Sequence, residues 1–556
     1  MTAVASRSAS LDGFGRRGSH GAVAAEASDS QQATAERGGR RRLLAAVGPL
    51  ALALFVAGVH LPALESGFVY DDRILILEQP PPRDLRDLAR VFAERHWFNL
   101  PYYRPVSRVT MVWQKGLHGN EPGPYHAFNL GLGVAATLLV FALLRQPAFG
   151  VGRVPALAAA ALFGAHPVIA DCIYPISSGR ETLIPVVLSL ASLIAWLRAG
   201  AARRATALVA LALALLAKEQ SVVLPLCLAW ADALGVSQDP PGRSARRWWR
   251  RYLPVLAILA GYAALRTLVF GGGGGPRVAV LAQPLAPVLS VLYTLQTIFA
   301  PFVELVYEPR LAVWLSPPRL AVALLAALAL AVAAARRPAR GRRAGLFFAG
   351  VALLSLAPTA NLLVQEAPFA ERYGLLALTG VAGVAASAAC ARRGSRAAGR
   401  AALAAALLVA LGAAALSRAR APAFADDLAF HTQWLRTDPE AAQPQVGLGQ
   451  WFAERGSLAE SRAHYEAAIA LRPDYAVAHA SLGAVLLAHG QDAEAALQLE
   501  RAAVLDPDAA TTWSNLGVAF ARLGRTADAE AAYGRALELE PGLAAARHNL
   551  DALRSR

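Results

Sequence analysis

The sequence predicts an all-α protein in two parts. The first is a polytopic helical membrane domain with about eleven spans; the second is an α-solenoid of short helical repeats. Three observations predict this. Hydrophobic residues make up 56% of the 556 residues and charged residues 17%, against about 25% charged in an ordinary soluble domain. The apolar residues gather in stretches long enough to cross a bilayer, separated by short arginine runs. The C-terminal part instead repeats at a spacing of 34 residues, through Pro439, Pro473, Pro507 and Pro541. The composition excludes a purely soluble enzyme and a disordered chain.

The net charge of +15 is unevenly spread. From Phe424 onward there are 11 Arg, no Lys and 18 Asp plus Glu, a balance of −7 that leaves +22 on the remainder. A basic balance can mark nucleic-acid binding. Here the cations sit between apolar stretches, which is the membrane pattern, and no nucleic-acid partner is expected. Cys172, Cys227 and Cys390 are far apart and imply neither a disulfide framework nor a zinc site. Only Lys115 and Lys218 are lysines, against 52 Arg. That bias fits a GC-rich bacterial genome and makes each surviving lysine more informative.

Residues 1–42 are rich in Ala, Gly, Ser and Arg without periodicity, and read as a disordered basic cytoplasmic tail. Arg40–Arg42 then meet the apolar run Leu43–Leu64, read as an uncleaved signal anchor. Further apolar segments lie at 126–145, 154–172, 182–198, 205–217, 221–236, 252–270, 319–335, 345–363, 373–391 and 399–416. With an odd number of spans the arginine runs at 198–204, 243–251, 336–343 and 392–400 share the side of the tail, which is then the cytoplasm. Trp248, Trp249 and Tyr252 fit an aromatic belt there. Segment 286–303, if counted as a span, would put the Arg336–Arg343 run outside, so it reads as re-entrant, interfacial or a hairpin after Gly271–Gly275.

The expectation is therefore a multi-pass inner-membrane (cytoplasmic-membrane) protein with a cytoplasmic N-terminus and periplasmic or extracellular repeats. Its parts are the tail 1–42, a membrane domain 43–417 with a large first outer loop 65–125, and a linker or partial repeat helix 418–441. Three repeats over 442–543 and a capping helix 544–556 follow. In the outer loop, Pro80–Pro82 precede an amphipathic stretch from Arg83 to Trp97. Leu85, Leu88, Val91 and Phe92 share one helical face there, as in a helix lying on a membrane surface.

The repeats carry the tetratricopeptide pattern. Gly456, Gly490 and Gly524 keep the 34-residue period, as do Leu448, Leu482 and Leu516. Gly449, Gly483 and Gly517 let the first helix of each repeat approach the second, and Ala468, Ala502 and Ala536 do the same from the other side. Repeats are placed at 442–475, 476–509 and 510–543. Such arrays present a concave groove, which fits capture of a protein or peptide and equally a scaffold or dimerisation surface.

Several polar clusters fall on the expected outer face. Asp71 and Asp72 follow the first span; such a pair can deprotonate a hydroxyl or hold a divalent ion. Adjacent residues point differently, so the two differ in role, and a solvated loop is the bland reading. Arg104, in Tyr103–Arg104–Pro105, suits phosphate or a lipid head group. Tyr125, His126 and Asn129 open the second span, where a helix cap is the bland reading. His166–Pro167–Val168 and Ser177–Ser178–Gly179–Arg180–Glu181 lie between the third and fourth spans. Lys218–Glu219–Gln220 interrupts an apolar run, where charge is costly and points to function over a tight turn with an internal ion pair. Glu366 and Glu371–Arg372–Tyr373 open the tenth span. Acids that activate a hydroxyl and cations that grip a phosphate thus converge on one face.

These segments are F-V-Y-D-D at 68–72, Y-R-P-V at 103–106, Y-H-A-F-N-L at 125–130, H-P-V at 166–168, S-G-R-E-T-L at 178–183, L-A-K-E-Q at 216–220 and A-E-R-Y at 370–373. In this order, followed by the repeats, they resemble the transmembrane and tetratricopeptide-repeat O-mannosyltransferases, a GT-C-class family of membrane glycosyltransferases, in a bacterial version. The run A-D-C-I-Y-P-I-S-S departs from the E-A-V-A-W-I-S type of relatives, and the three repeats are fewer than in many animal relatives, which leaves sugar and acceptor open. The resemblance implies an inverting transfer from a polyprenyl-phosphate sugar, mannose by analogy, to a protein Ser or Thr hydroxyl on the non-cytoplasmic face. By that analogy Asp71 is the base, and Asp72 orients it or joins it in holding a divalent cation, Mg or Mn. Arg104, Arg180, Lys218 and Arg372 would bind the donor phosphate. Glu219, Glu371 and His166 would orient those groups, and the repeats would receive the acceptor. The partners are then the lipid-linked donor, membrane lipids and a protein or peptide acceptor. The alternative is a non-enzymatic membrane-anchored repeat scaffold for envelope assembly. A transporter would call for inverted repeats and mid-membrane charge, whereas these charges cluster at span ends.

Overall fold

A computed structural model describes residues 46–93, 102–241, 244–270, 286–301, 315–358, 370–389 and 396–555. The tail 1–42, Trp97, Gly271–Gly275 and Glu366 lie outside the described residues. The chain divides into two compact units, Met1–Phe55 and Val56–Arg556. The described part of the first, residues 46–55, is helical throughout. The second holds the remaining helices, and among the described residues no strand occurs.

Seven described helices are long and apolar enough to cross a membrane. An eighth is formed if Arg153–Ala165 and Pro167–Ile173, bent by 53°, make one span. The 23-residue Pro122–Leu144 helix is about 34 Å long at 1.5 Å per residue, enough for a hydrocarbon core of about 30 Å. Other segments among the eleven expected spans form shorter or interrupted helices among the described residues. Ala201–Ala217 and Leu224–Ala233 have 17 and 10 residues and are separated by a break at Lys218. Ala339–Leu356 begins with Arg340, Arg342 and Arg343. Ala286–Phe299 has 14 residues, about 21 Å, too short to cross alone. Leu324, Leu325 and Leu328 on Pro317–Ala335 stay exposed, as do Leu407, Leu408 and Leu411 on Arg396–Ala419. Such apolar outer faces suit contact with lipid. The chain reads as a multi-pass membrane protein.

The stretch after Pro82 forms only a six-residue helix, Leu85–Arg90, among the described residues. Asp84 caps it by accepting from the Arg86 and Asp87 amides at 2.7 and 3.0 Å. Val91 is buried while Leu85 and Phe92 are exposed, so the expected single apolar face is split between two environments.

The most enclosed of the seven helices long enough to cross is Ile176–Trp196. It packs against Pro167–Ile173 at a contact only glycine allows. A Cβ on Gly179 would lie 2.0 Å from the Cys172 carbonyl oxygen. Backbone cannot give way as a flexible side chain can, so Gly179→Ala is expected to cost about 1–3 kcal/mol or more. Size-exclusion yield and thermal unfolding in detergent check this; a wild-type profile would contradict it.

After Asp427–Thr437, helix pairs Ala442–Glu454 with Leu458–Leu471, Ala476–Ala488 with Asp492–Leu505, and Ala510–Arg522 with Thr526–Leu539 stack in order, and Ala544–Arg554 follows. Each pair is joined through a glycine with positive φ: Gly456 (74°), Gly490 (72°) and Gly524 (75°), a backbone state glycine adopts without a Cβ penalty. A Cβ on Gly449 or Gly517 would meet the rings of Tyr465 or Tyr533 at 2.7 or 2.6 Å. The core of the array runs through Tyr465, Leu482, Leu499, Leu516 and Tyr533.

Candidate active-site cavity

The chain leaves the first helix through Leu61–Glu65 and turns at Tyr70 before a single wide helical turn, Arg73–Leu77. Asp71 lines a cavity at this turn, but Asp72 does not. Asp72 is fully buried. One of its carboxylate oxygens accepts from the Val69 amide at 3.1 Å and the Ile176 amide at 3.3 Å. The other accepts from the Ser177 amide at 2.7 Å and hydroxyl at 2.6 Å. It therefore caps the Ile176–Trp196 helix from a distant part of the chain, satisfying first-turn amides that have no partner within the helix. Burial pushes its carboxyl above the usual carboxylate range, against the pull of Ser177 and Val69.

Arg104 enters the cavity because Pro105 starts the helix Pro105–His118, leaving Arg104 in the turn before it. The Ser107 hydroxyl donates to the Ala217 carbonyl at 3.0 Å, fixing this helix beside the end of Ala201–Ala217. Arg104 consequently bonds both Glu219 and Glu181, and its guanidinium lies 4.2 Å from the Tyr102 ring centre. Burial opposes the guanidinium charge, but Glu219 and Glu181 outweigh it and hold the group firmly protonated. Burial also opposes the charge on Glu219, and Arg104 outweighs it in turn. Glu219 thus orients Arg104.

Lys218 sits at the break between Ala201–Ala217 and Glu219–Val223, in extended conformation. Its ammonium donates to the Thr182 hydroxyl at 3.2 Å and lies 5.1 Å from the Tyr373 ring centre. Among the described residues no carboxylate is within ion-pair distance of it. Burial first, then Arg104 and Arg372, push the Lys218 ammonium down to about 7, against Glu181 and Glu219. Arg372 lines the same cavity. Its amide donates to Asp171 Oδ2 at 3.1 Å, and its guanidinium is 3.9 Å from the same oxygen.

The structure thus brings Asp71, Arg104, Lys218 and Arg372 around one cavity, with Glu219 behind Arg104. It does not bring the other expected residues there. Arg180 is fully buried in the wall; it donates to Asn129 Oδ1 and the Tyr125 carbonyl, each at 3.1 Å, and does not face the cavity. Ser178 and Glu181, three apart, share the cavity face of that helix, and Arg180 lies off it. Glu371 is committed to Arg420, at 2.5 and 3.2 Å, instead of orienting Arg372. His166 accepts from the Val168 amide at 3.2 Å and contacts the Ile298 carbonyl at 2.9 Å, so it orders backbone at the bend. Sequence reasoning missed Asp171 and Arg420, the partners of Arg372 and Glu371.

A shared divalent ion on Asp71 and Asp72 does not fit these residues. Both Asp72 oxygens already accept hydrogen bonds on the wall side. Among the described residues no group of three or more His, Cys, Asp or Glu side chains is placed to hold a metal.

The cavity volume is about 1010 Å³, and residues of the helix Asp427–Thr437 and of the first two repeats also line it. Asp427, Gln443, Tyr465, Arg472, Tyr475 and Val485 all face it. The guanidinium of Arg472 lies 3.4 Å from the Tyr475 ring centre. Burial pushes the Asp427 carboxyl up to about 6, against the hydrogen bond from Tyr70. One continuous space therefore runs from Asp71 to the first two repeats.

Residues 449–490 match the family model described as TPR repeat, and residues 510–543 match the one described as tetratricopeptide repeat. The C-terminal array is a tetratricopeptide-repeat solenoid. Over 198 residues, 33% of this chain and 22% of the relative, the chain is 31% identical to the protein O-mannosyl-transferase Tmtc1 of Drosophila melanogaster. Over 144 residues, 24% of this chain and 21% of the relative, it is 30% identical to the protein O-mannosyl-transferase F38B6.6 of Caenorhabditis elegans. The chain thus spans little more than a fifth of either relative's length. Among solved structures, the Arabidopsis OM64 TPR domain is similar at 23% identity and a TM-score of 0.21, over 21% of this chain and 97% of that one. The crystal structure of MamA is similar at 21% identity and a TM-score of 0.22, over 22% of this chain and 73% of that one.

Proposed function

We propose that the protein is a GT-C-type membrane glycosyltransferase. It moves a sugar, mannose by likeness to its relatives, from a polyprenyl-phosphate donor to a Ser or Thr hydroxyl of a protein acceptor on the non-cytoplasmic face. The observation that carries this reading is one cavity lined both by Asp71, Lys218 and Arg372 and by residues of the first two repeats. The acceptor oxygen attacks the anomeric carbon as the bond to the phosphate oxygen breaks, with inversion. Asp71 takes the acceptor proton. The phosphate leaves as an anion needing little protonation, so cations serve it better than an acid, and Lys218 and Arg372 hold it. Arg104 carries two carboxylate partners of its own and orders the wall. The repeats receive the acceptor chain.

The test supplies labelled polyprenyl-phosphate mannose to membranes that hold the protein together with envelope proteins. Label on Ser or Thr supports the reading. No transfer from this or any other lipid-linked sugar favours the scaffold.

The Lys218 ammonium near 7 adds a prediction about pH. It is charged below that value, and an anionic phosphate is held best by the charged form. The donor KM is therefore expected to rise severalfold from about pH 6 to about pH 8.5. Lys218→Arg, which stays charged throughout, is expected to flatten that rise. An equal rise in both proteins would contradict the assignment.

A further inference from the structure

We infer that Asp427, on the first helix beyond the membrane domain, is a positioning residue for Asp71, so that the repeat-bearing segment sets the geometry of the base. The inference rests on Asp71 being that base.

It begins with the backbone before Asp71. Tyr70 has φ of 54°, a left-handed conformation that a bulky L-residue avoids. Strain of this kind persists only where the surroundings over-determine it, and it gathers at functional sites. The conformation of Tyr70 fixes the direction in which the next side chain, Asp71, leaves the chain.

Residues 427–443 hold Tyr70 through its amide, its ring and its hydroxyl. The Tyr70 amide donates to Asp427 Oδ1 at 2.8 Å. Its ring stacks on Phe430, with centres 5.9 Å apart, and meets Trp434 edge-on at 5.9 Å. Its hydroxyl bonds the Gln443 side-chain amide.

The far side of Asp71 is held from the same segment. Arg73 lies 3.7 Å from Asp427 Oδ2 and pairs with Glu454 on the first repeat helix. The two oxygens of one carboxylate thus bracket Asp71, one through the residue before it and one through the second residue after it. Further up the loop, the Gly67 amide donates to the Ala425 carbonyl at 2.8 Å. These contacts join residues more than 350 positions apart in sequence: 357 between Tyr70 and Asp427, and 373 between Tyr70 and Gln443.

Asp427 also faces the cavity, so contact with the acceptor is the competing role, and kinetics separates the two. The full-length protein is assayed with polyprenyl-phosphate mannose and a saturating Ser/Thr peptide. Asp427→Ala is expected to lower kcat by about 10- to 100-fold, with the KM values for donor and peptide within about threefold of wild type. Asp427→Asn keeps an oxygen for the Tyr70 amide and is expected to recover most of that loss. Arg73→Gln opens the other bracket and serves if Asp427→Ala does not fold; a kcat loss with unchanged KM is expected there too.

Unchanged kcat in Asp427→Ala, a change confined to peptide KM, or no recovery by Asp427→Asn overturns the inference. Asp71→Asn is run beside these variants. If it transfers sugar as well as wild type, the reading of Asp71 as base has failed. If it is inactive while Asp427→Ala keeps its kcat, only the positioning role has failed.

Discussion

Asp71→Asn is expected to lower sugar transfer by about 10²–10⁴-fold, the usual contribution of a positioned general base. Asparagine keeps the size of the side chain and removes the basic oxygen. The loss should fall on kcat, because Lys218 and Arg372, which line the cavity from other elements, are the groups proposed to hold the donor phosphate. The fold should not change: Asp71 faces the cavity, and its backbone carbonyl, which bonds the Leu75 amide at 3.1 Å, is untouched. Turnover with melting temperature measured alongside checks this. Equal loss of activity and stability would mean that Asp71 is structural.

Asp72→Ala is expected to do the reverse and deplete the folded protein. The substitution deprives the Ser177 amide and hydroxyl and the Val69 and Ile176 amides of their shared acceptor in a fully buried site. It also removes the negative charge that attracts the buried Arg180 guanidinium. Breaking a buried charge arrangement costs about 3–5 kcal/mol, a large part of the 5–15 kcal/mol that typically holds a domain together. Yield after detergent extraction and unfolding temperature are the measurements. A stable, soluble and inactive Asp72→Ala would instead place this carboxylate in the chemistry.

The two adjacent aspartates show where the sequence is legible and where it stops. Neighbouring residues point in different directions, and that alone separates their roles. Which of the two faces the cavity depends on Ser177, more than a hundred residues away: the bond spans 105 positions. Arg180 was open to a sharper reading, since three-residue spacing puts Ser178 and Glu181 on one helical face and leaves Arg180 off it. The repeats were the most legible part, because proline, glycine and leucine keep one period and each class has its own physical reason. Span count was less so. Apolar stretches broken by Lys218–Glu219 read as two separate spans in sequence, but they fold as a 17-residue helix and a 10-residue one, the second too short to cross alone.

The repeat side of the cavity carried no local signal. Asp427, Gln443 and Arg472 look like ordinary surface residues of a helical array, and they reach the site only through contacts across the whole chain. The aromatic set Phe430, His431 and Trp434, which surrounds Tyr70, was the one hint, as an aromatic cluster just before the repeats. Arg420 and Asp171 were hidden for a related reason. Each is a charge near the end of an apolar stretch, and its partner is fixed only by how the helices pack.

The most direct test of the central claim uses purified protein in liposomes with a polyprenyl-phosphate hexose and a Ser/Thr-containing peptide, followed by mass spectrometry of the peptide. Wild type is predicted to add one hexose through a Ser or Thr oxygen, dependent on the lipid-linked donor, and Asp71→Asn is predicted to add none in the same time. Absence of any hexose on the peptide with every lipid-linked sugar tried, or equal addition by both proteins, would contradict the account.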